Sequence, residues 1–451
     1  MPDSRPVPPW LFMQQPASSM LRDIFIKTES MTDDFEYLCS DEARKAIEQN
    51  IDRDPVAVAL DRRIAHAATV ATQVKYLQRA RRKLPSYYAA RCIVPPLAFE
   101  QSSSEECAAH KCPEGASVLD LTCGLGVDAF ALSKRFARVV TVERNEALAA
   151  VAEENFRRLG AENICVVCDS AEHFVETTDE KFDWCIADPD RRGADGSKKV
   201  LAEDCSPNIF YIIPKLMPKH KPETAPETDS ESISDTTPTS TSTSTSTLTP
   251  PTSEVAKAIL LKMSPMFDVG EAFRVFGQFG PCSVETVSVG DECKEVLVVL
   301  DPGRRPTLTA TAVGKGSFSV PVEELGTEVP VSGDMKSARF LIVPDVALQK
   351  SRLVRRYFAA SGFVYSENGF VFSAERPAEG VLGRVFEIEE MSRYDPRRLR
   401  RELKGRRVEM LLRDVPLTAA RIMQATGLRE GGEVRMAFTS VEGEIWAIRL
   451  K

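Results

Sequence analysis

The sequence predicts an α/β chain organised on a largely parallel sheet, and three observations carry that prediction. Ser117-Val-Leu-Asp-Leu-Thr-Cys-Gly-Leu-Gly-Val-Asp128 is an apolar run that ends in an acid and a Gly-x-Gly turn. Such a turn between a strand and a helix lets the backbone approach a ligand, and the first N–H groups of the helix favour an anionic group there. Three further strand-like runs also end in acids: Val139-Val-Thr-Val-Glu143, Ile164-Cys-Val-Val-Cys-Asp169 and Phe182-Asp-Trp-Cys-Ile-Ala-Asp188. Finally, a fifth strand, Ala258-Ile-Leu-Leu-Lys262, and a helix over 266–279 lead into two β-rich runs, 284–289 and 295–300, around Gly290-Asp291. That hairpin inserts an antiparallel strand into an otherwise parallel sheet.

Gly124-x-Gly126-x-x-Ala129 alone would also fit a dinucleotide fingerprint, a common pattern. The neighbouring acids favour S-adenosylmethionine. Asp120, four residues before Gly124, suits an ammonium and would repel a pyrophosphate. Glu143 is placed to accept ribose hydroxyls, and Asp169 to receive an adenine amino group. Taken singly, each acid could equally be a helix N-cap. Four carboxylates at the C-terminal ends of four consecutive strands form the more specific pattern, because open α/β sheets bind ligands along that edge.

The remaining elements follow in chain order. Residues 1–33 are polar and Pro-rich and predict a disordered tail, and 34–94 carry apolar positions at helical spacing. Within that helical region Lys75, Arg79, Arg81, Arg82 and Lys83 precede Tyr87 and Tyr88, which reads either as a solvated helix face or as a phosphate-tracking face with stacking partners. Gln101 and Ser102 to Ser104 either close over a cofactor or cap a helix. Residues 218–253 are Pro, Glu, Ser and Thr, with too little apolar surface to fold, and predict a disordered loop inserted after a helix over 208–216. From 303 to 451 the chain reads as a mixed α+β module, with β-like runs at 338–344, 363–366, 434–440 and 444–450. It carries two basic clusters: Lys350, Arg352, Arg355 and Arg356, then Arg393, Arg397, Arg398, Arg400, Arg401, Lys404, Arg406 and Arg407. The second points to nucleic acid despite a formal net charge of −8.

Length and composition agree with several domains. The 451 residues exceed what one core usually organises, and 43% hydrophobic content is that of a globular chain. No run of about 18 apolar residues occurs and no basic-then-apolar signal order opens the chain, so the expected location is the cytoplasm. The eleven cysteines then read as reduced thiols, with Cys165, Cys168 and Cys185 expected on buried strands. Cys107, His110 and Cys112 lack a fourth ligand, so no metal is expected.

Pro96-Leu-Ala-Phe-Glu-Gln-Ser-Ser-Ser-Glu105, Asp120-Leu-Thr-Cys-Gly-Leu-Gly-Val-Asp128, Val142-Glu-Arg-Asn-Glu146, Asp188-Pro-Asp-Arg-Arg192, Glu203-Asp-Cys-Ser-Pro207, Ser264-Pro-Met-Phe-Asp268 and Ser288-Val-Gly-Asp-Glu-Cys-Lys-Glu295 together resemble the bacterial class I methyltransferases that carry a C-terminal THUMP-like domain. The resemblance covers roughly residues 55 to 302. It implies a Rossmann-like seven-stranded sheet over 95–302, a helical domain at 34–94 before it and an α+β THUMP-like domain at 303–451 after it. The implied cofactor is S-adenosylmethionine, held by Asp120, Thr122, Gly124, Gly126, Glu143, Arg144, Asp169 and Ser170.

The expected reaction is direct methyl transfer to a nitrogen of RNA, tRNA or rRNA. Asp188 would orient an amino group, Pro189 would stiffen the turn, and Arg191 or Arg192 would hold a phosphate. Asp188-Pro-Asp-Arg departs from the Asp/Asn-Pro-Pro-aromatic form of amino-base methyltransferases and offers no ring for a flipped base. The expected RNA grips are Lys75, Arg79, Arg82, Arg397, Arg398, Arg400 and Arg401. Two alternatives stand beside this reading: a non-catalytic nucleic-acid-binding protein that keeps the pocket, and a methyltransferase of a small molecule or protein.

Overall fold

The computed structural model describes residues 29–189, 205–217, 254–329, 334–364, 366 and 368–451. The expected tail, apart from its last residues, and the Ser/Thr-rich insertion lie outside the described residues, as do Arg191 and Arg192. Two compact units divide between Phe174 and Val175.

In the first unit, helices α1 (Glu29–Cys39), α2 (Asp41–Asn50), α3 (Pro55–Ala59), α4 (Ala67–Lys83) and α5 (Pro85–Ala89) form the helical region, which begins before the expected residue 34. Ser40 starts α2 by accepting the Ala43 N–H at 3.1 Å. Val70, Val74 and Leu77 recur at helical spacing on α4 and are buried. Two short helices, α6 (Pro96–Gln101) and α7 (Glu105–His110), lead to β1 (Gly115–Asp120). Then come α8 (Val127–Ser133), β2 (Phe136–Glu143), α9 (Glu146–Leu159), β3 (Ile164–Cys168) and the start of α10 (Ala171–Thr177). The strands run parallel in the order β3-β2-β1. Asn145 caps α9 by accepting the Leu148 N–H at 3.0 Å, and Gly160, with φ +69°, ends it. Cys165 and Cys168 are exposed, contrary to expectation, because β3 ends this strand order and has β2 on one side only. Cys185, in the other unit, is buried as expected.

The second unit opens with β4 (Phe182–Ala187), α11 (Ile209–Leu216) and β5 (Ala256–Met263), with β4 and β5 parallel. α12 (Val269–Phe276) precedes the hairpin of β6 (Cys282–Val289) and β7 (Glu292–Leu300), in which β7 lies antiparallel to both β5 and β6. Gly290 and Asp291, with φ +58° and +66°, form the turn that the sequence marks. Two strands beyond residue 302 continue this sheet. β8 (Thr307–Ala312) pairs parallel to β6, and β9 (Gly316–Pro321) pairs antiparallel to β8. They occupy the ladder that β6 would otherwise leave open.

The rest of the unit is an eight-stranded sheet. Its elements are β10 (Phe340–Pro344), α13 (Val346–Lys350), α14 (Val354–Phe358), β11 (Phe363–Val364), β12 (Val371–Ser373), β13 (Gly383–Arg393), α15 (Pro396–Glu402), β14 (Arg407–Leu412), α16 (Ala419–Thr426), β15 (Arg429–Glu430), β16 (Val434–Val441) and β17 (Glu444–Leu450). The strand order is β11-β12-β10-β13-β17-β16-β14-β15. α15 and α16 cover one part of it through Leu399, Leu403 and Ile422, which pack on Val408, Met436 and Phe438.

Candidate functional site

The glycine turn follows β1 in the first unit. Asp120 is 1% exposed, and its carboxylate accepts the Thr122 N–H at 3.0 Å and the Thr141 hydroxyl at 2.8 Å. Those bonds fix the carboxylate at the strand end. Gly124 has φ +55° and Gly126 φ +83°, both left-handed. A Cβ on Gly126 would lie 2.5 Å from Phe156 Cζ, whereas one on Gly124 would meet nothing within 4 Å. Space therefore remains beside Gly124 for a ligand.

Glu143, at the end of β2, accepts the Gly124 N–H and the Asn145 N–H, each at 2.9 Å. One carboxylate thereby ties the turn after β1 to the turn after β2. After β3, Asp169 accepts the Ser170 N–H at 2.7 Å and lies 2.7 Å from His173 Nδ1, while Ser170 Oγ accepts the His173 N–H at 3.2 Å. Arg144 is exposed at the head of α9. The structure thus gathers Asp120, Thr122, Gly124, Gly126 and Glu143 into one hydrogen-bonded turn system and sets Asp169 and Ser170 at the adjoining strand end.

Two supports of this turn carry no motif. Tyr87 is fully buried, donates its hydroxyl to the Leu125 carbonyl at 3.1 Å and meets Phe130 edge-on. This corrects the expectation that Tyr87 is a stacking partner, since its ring is inside the unit. Lys111, with a side chain 2% exposed, places Nζ 2.8 Å from Asp128 and donates to Ser103 Oγ at 2.8 Å. Ser104 accepts the Cys107 N–H at 3.2 Å, so this last serine of the run caps α7. Burial pushes the Cys123 thiol well above its ordinary range, which suits a packed thiol and not a nucleophile. Among the described residues no group of three or more His, Cys, Asp or Glu is placed to hold a metal.

In the second unit Asp188 follows β4 and forms an ion pair with Lys262 of β5; Pro189 beside it is buried. Sequence reasoning ended the fifth strand at Lys262 without giving that residue a role. The signal was a second lysine inside an otherwise apolar strand.

The basic residues sort by partner. In the helical region Arg79 pairs with Glu100 and lies over Tyr76 and Phe99, and Arg81 pairs with Asp52 at 2.9 Å. Lys75 and Arg82 are exposed and have no ion pair among the described residues. In the C-terminal cluster Arg398 pairs with Glu390 and Glu402, Arg393 with Glu444, and Arg407 with Glu433. Arg397, Arg400, Arg401 and Lys404 are exposed without an ion pair among the described residues, as are Arg421 of α16 and Arg429 of β15. Arg356, from the other cluster, donates to the carbonyls of Glu324 and Thr327, each at 2.6 Å, and is structural.

Comparison with known proteins assigns the architecture. Residues 118–203 match a family described as "Methyltransferase domain", and residues 383–451 one described as "THUMP domain-like". Over 96 residues the chain is 31% identical to an "Uncharacterized RNA methyltransferase" of Thermosynechococcus vestitus, covering 21% of each protein. Over 58 residues it is 45% identical to a "Protein-L-isoaspartate O-methyltransferase" of Methanoregula boonei, covering 13% of this chain and 26% of that one. The chain therefore spans about a fifth to a quarter of the length of these curated relatives. A crystal structure of a "putative methyltransferase from Porphyromonas gingivalis W83" superposes with TM-score 0.69 at 22% identity, over 92% of this chain and 98% of that one. Among the described residues no helix is long and apolar enough to cross a membrane. By both domain matches and by fold, the chain carries a class I methyltransferase fold and, over residues 383–451, a THUMP domain-like segment.

Proposed function

We propose that this protein is an S-adenosylmethionine-dependent methyltransferase that acts on RNA, tRNA or rRNA, by direct transfer to a nitrogen. The observation that carries the reading is the hydrogen-bonded turn system of Asp120, Gly124 and Glu143 at the carboxyl ends of β1 and β2. The residues fit the cofactor. The empty space beside Gly124 admits a ligand against the main chain, and Glu143 keeps acceptor capacity for ribose hydroxyls after binding two N–H groups. Asp120 and Thr122 would flank the ammonium end, Gly126 would keep the turn close to α9, and Asp169, Ser170 and Arg144 would line the adenosine end. When bound, S-adenosylmethionine supplies an electrophilic methyl group on a cationic sulfur.

The chain's own part is alignment and charge placement. Asp188 accepts a hydrogen bond from the acceptor amino group and so directs the nitrogen lone pair. Buried Pro189 restricts the backbone beside it. Arg191, two residues on in the sequence, takes a substrate phosphate. The exposed face of Arg397, Arg400, Arg401 and Lys404 supplies RNA backbone contacts, with Lys75 and Arg82 as a second grip. Arg79 and Arg398, committed to acids, contribute less.

The test is incubation with methyl-labelled S-adenosylmethionine and total RNA, beside total protein and a small-molecule extract, with Asp188→Ala as control. Label in RNA that Asp188→Ala fails to give supports the reading. Label in protein or small molecules redirects the substrate, and no label despite cofactor binding points to a binding protein.

A further inference from the structure

We infer that Lys262 is the positioning residue for Asp188: its ammonium holds that carboxylate aimed at the end of β4. The inference rests on the role given to Asp188 above. In the parallel β4–β5 ladder Ala187 stands opposite Leu261, so the next step sets Asp188 opposite Lys262. The two side chains form an ion pair, with Lys262 15% exposed and Asp188 38% exposed. The lysine is the more enclosed partner.

A second rung on the same ladder supplies the contrast. Phe182 stands opposite Ala256, so Asp183 faces Lys257 at the other end, 2.7 Å apart. Lys257 is 75% exposed and belongs to the class of surface pairs that contribute little. Lys262 instead sits between Leu261 and Met263 on a strand paired on both sides, by β4 and β7. With Asp188 38% exposed, the pair gives the fold little stability. Stability does not explain this lysine. Its effect on the carboxylate does: a fixed cation against one side restricts its rotamers and so sets the direction from which an amino hydrogen is accepted.

The experiment uses the full chain and four variants: Lys262→Met, Lys262→Arg, Lys257→Met and Asp188→Asn. Carboxylate carbon NMR on aspartate-labelled protein, with the Asp188 signal identified by its loss in Asp188→Asn, reads the pair without any substrate. Methyl transfer to total RNA is followed with kcat separated from the KM for S-adenosylmethionine. The expected result is that Lys262→Met displaces the Asp188 carboxylate signal. With it kcat falls roughly tenfold while that KM and cofactor affinity hold. Lys262→Arg restores both, and Lys257→Met behaves as wild type. An unmoved Asp188 signal in Lys262→Met overturns the inference, as does transfer by Lys262→Met that matches Lys257→Met. Should Asp188→Asn transfer normally, or the wild type label nothing, the role of Asp188 fails and that of Lys262 in transfer with it. The NMR signal still decides the pairing by itself.

Discussion

The Tyr87 hydroxyl, sealed from solvent, donates to the main-chain carbonyl of Leu125, the residue between the two glycines of the turn after β1. A phenol from the helical region thus holds a loop that sequence motifs assign to the cofactor. Tyr87→Phe keeps the ring and removes the donor. An abandoned buried acceptor costs about 1–3 kcal/mol, so a lower Tm is expected, together with several-fold weaker binding of S-adenosylhomocysteine by calorimetry. Unchanged affinity would mean the turn keeps its shape without the phenol.

The two glycines should respond unequally. Alanine at 124 meets only the left-handed backbone, a strain of about 1–2 kcal/mol, while alanine at 126 adds a collision with Phe156. Gly126→Ala is expected to be the more destabilised variant in urea and to lose cofactor binding, and Phe156→Leu in that background should recover part of the stability. Equal loss at both positions would show that backbone strain alone decides.

Glu154 gives the protein an acid-sensitive joint. It accepts Arg157 Nε and Arg158 Nε, each at 2.7 Å, while the Arg158 guanidinium also reaches the carbonyls of Leu38 at 2.8 Å and Arg91 at 2.5 Å. Burial pushes this carboxyl up, but the hydrogen bonds from both arginines outweigh it and hold the group below its ordinary value. A folded value below the unfolded one gives stability that is complete above the usual glutamate range, near 4.3, and is lost as pH falls through the folded value. Glu154→Gln should therefore lower Tm by a few degrees at pH 7 and progressively less below about pH 4. A constant difference across that range would remove Glu154 from the acid response.

Charge reversal separates free from committed arginines. Arg397→Glu, Arg400→Glu and Arg401→Glu should each weaken RNA binding and flatten its salt dependence by about one unit of slope. Arg398→Glu, which also breaks pairs with Glu390 and Glu402, should act mainly on stability. Filter binding across a salt series, with melting curves, distinguishes the two effects. Equal slopes for all four variants would place the RNA elsewhere.

The main strands were legible because each pairs an apolar run with a turn signal. Leu119 and Val140 are buried, and Gly290-Asp291 turns as its composition suggests. The strand-end positions of Asp120, Glu143 and Asp169 were legible because they follow from sequence order alone. Tyr87 and Lys262 were not, since their roles depend on partners 38 and 74 residues away. Their types in isolation point elsewhere, to a stacking ring and a solvated cation. The commitment of Arg79 and Arg398 was hidden for the same reason, because a run of basic letters does not reveal which acids fold against it.

β8 pairs with β6 from Val284 opposite Leu308 to Ser288 opposite Ala312. The seam between the methyltransferase sheet and the chain that follows it is therefore a hydrogen-bonded ladder and not a tether. Amide protons on both sides of that ladder should exchange with deuterium as one cooperative block, and a protease nick between 302 and 306 should leave two fragments that travel together. An isolated domain ending at residue 302 would expose the β6 edge to other chains, which makes aggregation its expected fate.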